Sequence, residues 1–479
     1  MPVTQGLIED VADWASTWLA FRRASVGVPG LQYAIAWRGE VLVSGGDGLS
    51  DCQRGVPMSD AQLFRIASHS KTLTATLLMQ LSDRDHPALG LDDRVGDHLP
   101  ELSGRPGLAG IAQCRIGELA HHGSGISRDG IDGDYWQLAR PFPDRDALLS
   151  LLEVSPSPFG PSERFHYSNL AYSLLGLIIE RVSGASFSDL IAERIARPLG
   201  LADTAADYLE ARAEEYAIGY SHALGGLGRL AIEHIPTNAM APATGVTSTA
   251  RDLVRFFSAH CEGDHTLLSE AAKRRMQHEQ WQPRSGEGYA LGLQTLKVGE
   301  RRLIGHSGGY PGHITRTWCD PNDQLVVSVL TNATAAPASA WATGIFRLID
   351  SLAQRPGHAL SEEIEPRSFA GRFAGLWGAF DIASFDGQLY EVGLEGDDPS
   401  AALSELAITG ADAAVLAKAP DGYASEGEPY RFERDLDGRV RAVRGESGMR
   451  AVALEDWAAR VAQGDAIARP DAGAERPAD

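Results

Sequence analysis

The stretch FRIASHSK, residues 64–71, places a serine hydroxyl and a lysine amine three positions apart, at Ser68 and Lys71. The pattern that follows predicts a helix over residues 72–81, and if Ser68 opens this helix both side chains lie on one face. A serine needs a nearby base to become a nucleophile, and an amine of lowered pKa can serve, whereas arginine keeps its proton. The spacing therefore favours an activated nucleophile, against the alternative of a helix cap beside a surface lysine.

A second motif, Tyr167-Ser168-Asn169, is the sole YxN of the chain and lies where a loop meets the helix predicted from Leu170. A tyrosine beside an ammonium group has its phenolate favoured, so Tyr167 could take the proton of Ser68. Asn169 could bind a substrate carbonyl. On its own, the motif is better explained by a packed tyrosine and an asparagine N-cap.

A third motif, His306-Ser307-Gly308-Gly309, lies in a strand-like context after a mainly helical region. Small residues let a backbone lie close to a ligand, so Gly308 and Gly309 are candidate substrate-binding positions. The Gly309 N–H is a candidate oxyanion donor. The HxG pattern alone is weak, because it recurs at His121-His122-Gly123, which we interpret as a loop.

Composition and charge narrow the classes of partner. The 479 residues carry a formal net charge of -21, which repels phosphate backbones and anionic membranes, so we expect neither nucleic acid nor a membrane as partner. The first residues show no export signal, and no run approaches about 18 apolar residues, so a cytoplasmic location is predicted. Four widely spaced cysteines without a CxxC pair predict free thiols, and we expect no metal or organic cofactor.

Periodicity predicts an α/β fold of the α+β type, with a sheet built from both ends of a large first domain. Strand patterns at 31–37 and 41–44 precede a mainly helical middle, and strand patterns return after residue 289. Further short strand patterns, the first at 373–382, predict a small antiparallel β-barrel or sheet. The predicted domains are 1–355, a linker at 356–366, a C-terminal β-domain at 367–460 and a disordered tail at 461–479.

The three motifs follow one another with YxN about a hundred residues after SxxK and HxG about 140 further on. This arrangement resembles the serine beta-lactamase and penicillin-binding-protein family over roughly residues 28–352. Residues 119–126 are similar to the family's LLTHTSG segment, with His122 at its histidine. Other similar segments are 64–67, 91–93, 245–252 and 326–332.

The resemblance implies an antiparallel sheet flanked by helices, a helical subdomain beside it, and an active site in the cleft between them. It also implies that Ser68 is acylated, that Lys71 and Tyr167 move the proton, and that Asn169 positions the substrate. The N–H groups of Ser68 and Gly309 would form the oxyanion hole.

Two departures from the family pattern are visible. Many members carry Lys-Thr-Gly where this chain has His306-Ser307-Gly308, so a fixed cation is replaced by a group that is only partly charged near pH 7. We count His306 among the catalytic residues, but tight capture of a substrate carboxylate is not expected. The chain resembles instead the branch with D-aminopeptidases, D-amino-acid amidases and some esterases. The second departure is Ser162, where the family often has glycine.

The C-terminal segment from about 367 to 455 also fits this branch, because some of its peptidases carry a lipocalin-like barrel after the catalytic domain. Such a barrel could supply a loop that narrows the cleft, or it could be a dimerisation or stability module, which we favour. A homodimer is therefore one open alternative.

We predict a serine hydrolase that works through an acyl-enzyme on Ser68 and acts on small-molecule or short peptide substrates, namely peptides or amides with a D-residue. Carboxylesterase or beta-lactamase activity at the same site is one alternative. A non-catalytic penicillin-recognising binding or sensor protein is another, although a scaffold freed from catalysis would have no need of Ser68, Lys71 and Tyr167 together.

Three further interpretations are weaker. A zinc hydrolase would need the cluster His260, Cys261, Asp264 and His265, whose spacing fits no zinc pattern. An α/β-hydrolase would use Ser307 in the GxSxG pattern at 305–309, but no helix pattern follows it. Arg316 could bind a substrate carboxylate, but we expect a surface ion pair there.

Overall fold

A computed structural model describes residues 3–83, 88–355, 364–419, 424–445 and 447–464 of the chain. The chain divides into two compact units, one formed by Val11–Asp350 and the other by Met1–Asp10 together with Ser351–Asp479.

The larger unit contains a nine-stranded antiparallel sheet and two short strand pairs, β4 with β7 and β5 with β6. Its strands are, in chain order, β1 (Gly30–Trp37), β2 (Glu40–Asp51), β3 (Val56–Pro57), β4 (Phe64–Arg65), β5 (Gly219–Tyr220), β6 (Ala231–Ile232), β7 (Thr247–Ser248), β8 (Trp281–Arg284), β9 (Glu287–Tyr289), β10 (Gln294–Val298), β11 (Arg301–Tyr310), β12 (His313–Asp320) and β13 (Leu325–Thr331).

The nine-stranded sheet has the spatial order β3-β2-β1-β13-β12-β11-β10-β9-β8. Strands from the two ends of the unit meet at its centre, because β1 pairs with β13 from Leu31 opposite Thr331 to Trp37 opposite Leu325. Both central strands are buried along almost their whole length. The prediction of a sheet built from both ends of this domain is confirmed.

The helices up to residue 353 include those of the mainly helical middle of the chain. They are α1 (Gln5–Val26), α2 (Ser70–Ser82), α3 (Val95–His98), α4 (Ala109–Gln113), α5 (Ile116–Ala120), α6 (Arg145–Val154), α7 (Asn169–Ser183), α8 (Phe187–Ile191), α9 (Arg197–Leu199), α10 (Ala250–Ser258), α11 (Glu270–Gln277) and α12 (Ala338–Ala353). No helix among the described residues is long and apolar enough to cross a membrane.

Helix α2 lies inside the core of the larger unit. Every one of its residues except Gln80 is buried, so it has no polar stripe of the kind that a surface helix presents to water. Its apolar side chains join those of α7 and α10 in one hydrophobic cluster. The amine of Lys71 is therefore carried into the core by the helix itself.

Helix α7 begins directly after a serine cap. The Ser168 hydroxyl accepts a hydrogen bond from Ala171 N at 3.0 Å and donates to Ser127 O at 2.9 Å. The helix ends at Gly184, which has a φ of 71°, as glycine readily does at a helix C-terminus. The cap places Tyr167 just before the helix and Asn169 at its first position.

The smaller unit contains a closed eight-stranded barrel. Its strands are β14 (Gly371–Gly375), β15 (Gly378–Phe385), β16 (Gln388–Gly393), β17 (Leu403–Gly410), β18 (Ala413–Lys418), β19 (Pro429–Arg434), β20 (Val440–Arg444) and β21 (Arg450–Ala453), followed by helix α13 (Leu454–Gln463). Eight strands leave an interior just wide enough for side chains, and apolar residues such as Phe373, Leu389 and Phe432 fill it. The predicted C-terminal β-barrel is confirmed.

Details of this unit differ from the prediction. The run predicted as one strand at 373–382 is a hairpin, in which Gly378 takes a φ of 138°. Strand β17 pairs with β18 through two register shifts, so its pairing is irregular. Residues 461–463, assigned to the tail, belong to α13. Residues 356–363 of the predicted linker and 465–479 of the predicted tail lie outside the described residues.

The α7 cap leads to a stability prediction. We expect Ser168→Ala to lower the free energy of unfolding by about 1–2 kcal/mol, because the amide of Ala171 loses its acceptor and Ser127 O loses its donor. Thermal denaturation measures this. Ser188→Ala is the matched control, since Ser188 is exposed on α8, and an equal loss in both variants would contradict the assignment.

Candidate active site

Ser68 lies in a tight turn ahead of α2 rather than in the first turn of that helix. The residues Ala67–His69 form a 3-10 turn, and α2 begins at Ser70. Ala67 has a φ of 50°, a left-handed conformation that costs a non-glycine residue about 1 kcal/mol or more. The Ser70 hydroxyl stabilises the turn, donating to Ala67 O at 2.6 Å and accepting from Val246 N at 3.0 Å. The expectation that Ser68 opens the helix is therefore wrong by two residues.

The Lys71 amine is buried and has three oxygen neighbours. Its Nζ lies 3.2 Å from Ser68 Oγ, 2.7 Å from Asn169 Oδ1 and 2.8 Å from the carbonyl oxygen of Ala243. Burial lowers the pKa of Lys71 well below its usual range, Asp129 raises it and Arg128 lowers it further.

The neighbours of Lys71 dictate how a neutral amine must be oriented. The amide oxygen of Asn169 and the carbonyl oxygen of Ala243 can only accept, so each needs one of the two N–H groups. The remaining lone pair then faces Ser68 Oγ. In its neutral form Lys71 can therefore accept the proton of the serine hydroxyl directly.

Tyr167 is the second group in contact with the nucleophile. Its hydroxyl lies 2.8 Å from Ser68 Oγ, and Lys71 Nζ lies 4.7 Å from the centre of its ring. Burial raises the pKa of Tyr167, and this outweighs the effect of its hydrogen bond with Ser68, which acts in the opposite direction. The expectation of a favoured phenolate is wrong in direction, because the phenol is enclosed and Lys71 itself has a lowered pKa.

Asn169 is engaged by the protein through both of its amide groups. Its Oδ1 accepts from Lys71, and its Nδ2 donates to Asp129 Oδ1 at 2.7 Å. Asp129 also accepts from Trp136 Nε1 at 2.8 Å. Because a carboxylate only accepts, Asp129 determines which amide group of Asn169 faces Lys71. Sequence reasoning did not single out Asp129, although it closely follows the segment that resembles LLTHTSG.

His306 lies in a buried chain of three rings. The hydroxyl of Tyr289 lies 3.1 Å from His122 Nε2 and 3.1 Å from His306 Nε2. His122 Nδ1 accepts from Ser168 N, so the proton of the neutral His122 ring is on Nε2 and is donated to Tyr289. His306 Nδ1 then donates to the carbonyl oxygen of Ser307 at 2.7 Å.

Burial of His306 keeps its imidazole neutral. Burial lowers its pKa well below the usual range, and Lys71 and His69 lower it further. Within the described chain it forms no hydrogen bond with Ser68 or Tyr167. His306 was expected to be partly charged near pH 7. Its neutral imidazole cannot form an ion pair with a substrate carboxylate.

Strand β10 pairs only with Arg301–Gly305 of β11. The glycines after His306 therefore have no partner strand on the β10 side within the described residues. A Cβ at Gly308 would lie 2.2 Å from Ile66 O and 2.3 Å from Thr315 Oγ1, so only glycine fits there. This close approach puts β11 against the turn that carries Ser68. Gly309 is exposed, and its N–H stays a candidate oxyanion donor.

Ser162, the second departure from the family pattern, has a φ of 58°, in the region that glycine adopts without strain. Its hydroxyl donates to Glu118 Oε1 at 2.5 Å and its N–H donates to Gly123 O at 2.7 Å. These two bonds stabilise a conformation in which glycine would be the ordinary choice.

The weaker interpretations do not match the geometry. Ser307 lies in the middle of β11, opposite Arg316, and strand β12 follows where a nucleophile elbow would need a helix. His260 is buried with both ring nitrogens hydrogen-bonded, to Phe256 O and Thr76 Oγ1, and the described residues contain no group of three or more His, Cys, Asp or Glu side chains that could hold a metal ion.

Arg316 forms no ion pair within the described ranges, so the expected surface ion pair is wrong. Its guanidinium is largely enclosed, donates to Gln294 Oε1 at 2.5 Å and lies 4.3 Å from the centre of the Trp318 ring. Burial lowers its pKa to about 10.

Comparison with known proteins agrees with this fold. Penicillin-binding protein 4 of Amycolatopsis lactamdurans is 30% identical over 389 residues, which are 75% of this chain and 94% of that protein. Esterase EstB of Burkholderia gladioli is 33% identical over 198 residues, 39% of this chain and 48% of that protein. The solved structure of the D-amino acid amidase from Ochrobactrum anthropi SV3, complexed with D-phenylalanine, matches with a TM-score of 0.60 at 25% identity, covering 72% of this chain and 99% of that chain.

The family profile described as Beta-lactamase matches residues 16–347. The matched region includes the turn with Ser68, the buried amine of Lys71 and the loop with Tyr167. The chain therefore belongs to the Beta-lactamase family.

Proposed function

We propose that this protein is a serine hydrolase that forms an acyl-enzyme on Ser68 and acts on amides or short peptides bearing a D-residue. The observation that carries the proposal is the buried amine of Lys71, whose two neighbouring carbonyl oxygens leave its lone pair for the Ser68 hydroxyl. The similarity in fold to a D-amino acid amidase supports the substrate class.

In the proposed acylation, Ser68 Oγ attacks the substrate carbonyl carbon while its proton passes to Lys71 Nζ. The N–H groups of Ser68 and Gly309 stabilise the negative charge on the carbonyl oxygen. The Tyr167 hydroxyl, 2.8 Å from Ser68 Oγ, donates its proton to the leaving nitrogen and regains one from Lys71. Water then enters where the leaving group was and releases the acid by the reverse proton transfers.

The neutral state of His306 supports the choice of substrate. A substrate carboxylate at this strand would meet no fixed cation at the position of the family's Lys-Thr-Gly lysine. This disfavours beta-lactam or D,D-carboxypeptidase substrates, which carry such a carboxylate, and favours amides that lack one.

Carboxylic esters are the second candidate substrates, and the similarity to Esterase EstB favours them. The same serine, lysine and tyrosine would act, and an ester needs less help from Tyr167 because an alkoxide leaves more easily than an amine anion. The ratio of amide to ester turnover distinguishes the two candidates.

A cytoplasmic location and a homodimer stay predictions.

Replacing the nucleophile tests the acyl-enzyme. We expect Ser68→Ala to abolish labelling by a fluorophosphonate probe in intact-protein mass spectrometry and to lower kcat at least about 10⁴-fold on D-alanine p-nitroanilide and p-nitrophenyl butyrate. Ser307→Ala is the matched control and should still be labelled. Undiminished turnover by Ser68→Ala would refute the proposal, and a single burst without turnover would favour the non-catalytic alternative.

The pH profile of kcat/KM tests the role of Lys71. The amine must be deprotonated to act as base, so the rate rises with pH through the Lys71 pKa. Because burial lowers that pKa, the rising limb should lie well below the ordinary lysine value of about 10.4. The rate should fall only where Tyr167 loses its proton, above the ordinary tyrosine value of about 10. A rising limb at the ordinary lysine value would contradict this role.

Asp129→Asn tests whether the carboxylate positions Lys71 through Asn169. The variant loses the charge that raises the Lys71 pKa, so the rising limb should move to lower pH. It also frees the amide of Asn169 to turn, and kcat should fall about tenfold or more. Asp132→Asn is the control, because Asp132 pairs with Arg140 at the surface. A fall in rate without a shift of the limb would indicate a merely structural role.

A further inference from the structure

The larger unit contains a cavity of ≈770 Å³ that shares no lining residue with the catalytic set. Its walls come from α5 and the residues around it, from the end of α11, and from Leu91, Ser162 and Leu291. A volume of this size is within the range of small-molecule sites. A smaller cavity of ≈370 Å³ lies beside it. Its lining includes Arg274, His278 and Arg302.

Three arginines line the larger cavity, Arg274 and Arg275 from the last turn of α11 and Arg115 from the residue before α5. Arg274 and Arg275 are exposed, and neither makes an ion pair or a side-chain hydrogen bond within the part of the chain that the structure describes.

The acidic groups of this cavity are already engaged. Asp92 pairs with Arg115 at 2.8 Å. Glu118 accepts from Arg115 N at 2.8 Å through one oxygen and from the Ser162 hydroxyl through the other. His121 accepts from Trp281 Nε1, and burial lowers its pKa, so it adds no charge. Arg274 and Arg275 therefore form no ion pair with either carboxylate, and the cavity is lined by three guanidinium groups against two carboxylates.

A helix C-terminus stabilises cations in its last turn, and this accounts for the presence of arginines at the end of α11. It does not account for Arg115, which belongs to another element and lines the same cavity, or for Arg302, which lines the adjoining space with Arg274. Guanidinium groups from separate elements that face one concave space form the arrangement that binds the several oxygens of an anion.

We propose that this cavity binds a small phosphate monoester, with the phosphate on the guanidinium groups of Arg274 and Arg275 and an apolar body against Leu91 and Leu291. The planar forks of the two arginines match the phosphate oxygens. A concave site in an otherwise acidic protein admits a small anion and disfavours nucleic acid, whose backbone the overall charge repels. The site is independent of the proposed hydrolase reaction.

Isothermal titration with phenyl phosphate tests the proposal, with ionic strength held constant by sodium chloride. We expect saturable binding, tighter than that of inorganic phosphate because the ring adds apolar contact, and weaker as salt is raised. The double variant R274Q/R275Q should bind at least about tenfold more weakly, since charge-assisted hydrogen bonds are lost. R431Q, which removes an exposed arginine of β19, should bind as the unaltered protein does.

The double variant R274K/R275K keeps both positive charges and removes only the guanidinium groups. Circular dichroism and thermal melting of each variant show whether it is folded. It should bind more tightly than R274Q/R275Q. The proposal is overturned if the unaltered protein shows no saturable heat, if R274Q/R275Q binds equally well, if R274K/R275K loses as much as R274Q/R275Q, or if R431Q loses as much as either.

Discussion

The buried amine of Lys71 is the group on which the catalytic arrangement depends. A charged amine in the core would be costly, so burial lowers its pKa, and its remaining N–H groups must find acceptors. Those acceptors come from Asn169 on α7 and from the carbonyl oxygen of Ala243. Two separate elements thus orient one nitrogen toward the turn that carries Ser68. In the proposed reaction, the nucleophile is activated by the same contacts that make burial of the amine tolerable.

Behind this group lies the chain formed by His122, Tyr289 and His306. It joins the segment that resembles LLTHTSG to β11 through two hydrogen bonds, and the backbone of Ser168 sets its direction. Burial lowers the pKa of His122 and of His306 and raises that of Tyr289, so all three groups are neutral. The histidine at the position of the family's lysine is therefore a hydrogen-bonded core residue. It supplies no positive charge at this position of β11.

Charge is distributed unevenly over the larger unit. Around Ser68 the enclosed groups have pKa values shifted toward their neutral forms, since Lys71 is lowered and Tyr167 is raised. At the end of α11, by contrast, two guanidinium groups face a concave space without an acidic partner among the described residues. The first environment suits proton transfer, and the second suits the binding of an anion.

The sequence by itself determined the candidate catalytic residues and their order, because SxxK, YxN and HxG are local patterns whose spacing can be recognised. It also determined the sheet and the C-terminal barrel, since strand alternation is a local property. Only the tertiary structure decided the protonation states, the role of Asn169 and the part played by Asp129. The pKa of a group depends on burial and on neighbours distant in sequence, and Asp129 lies 40 positions before Asn169.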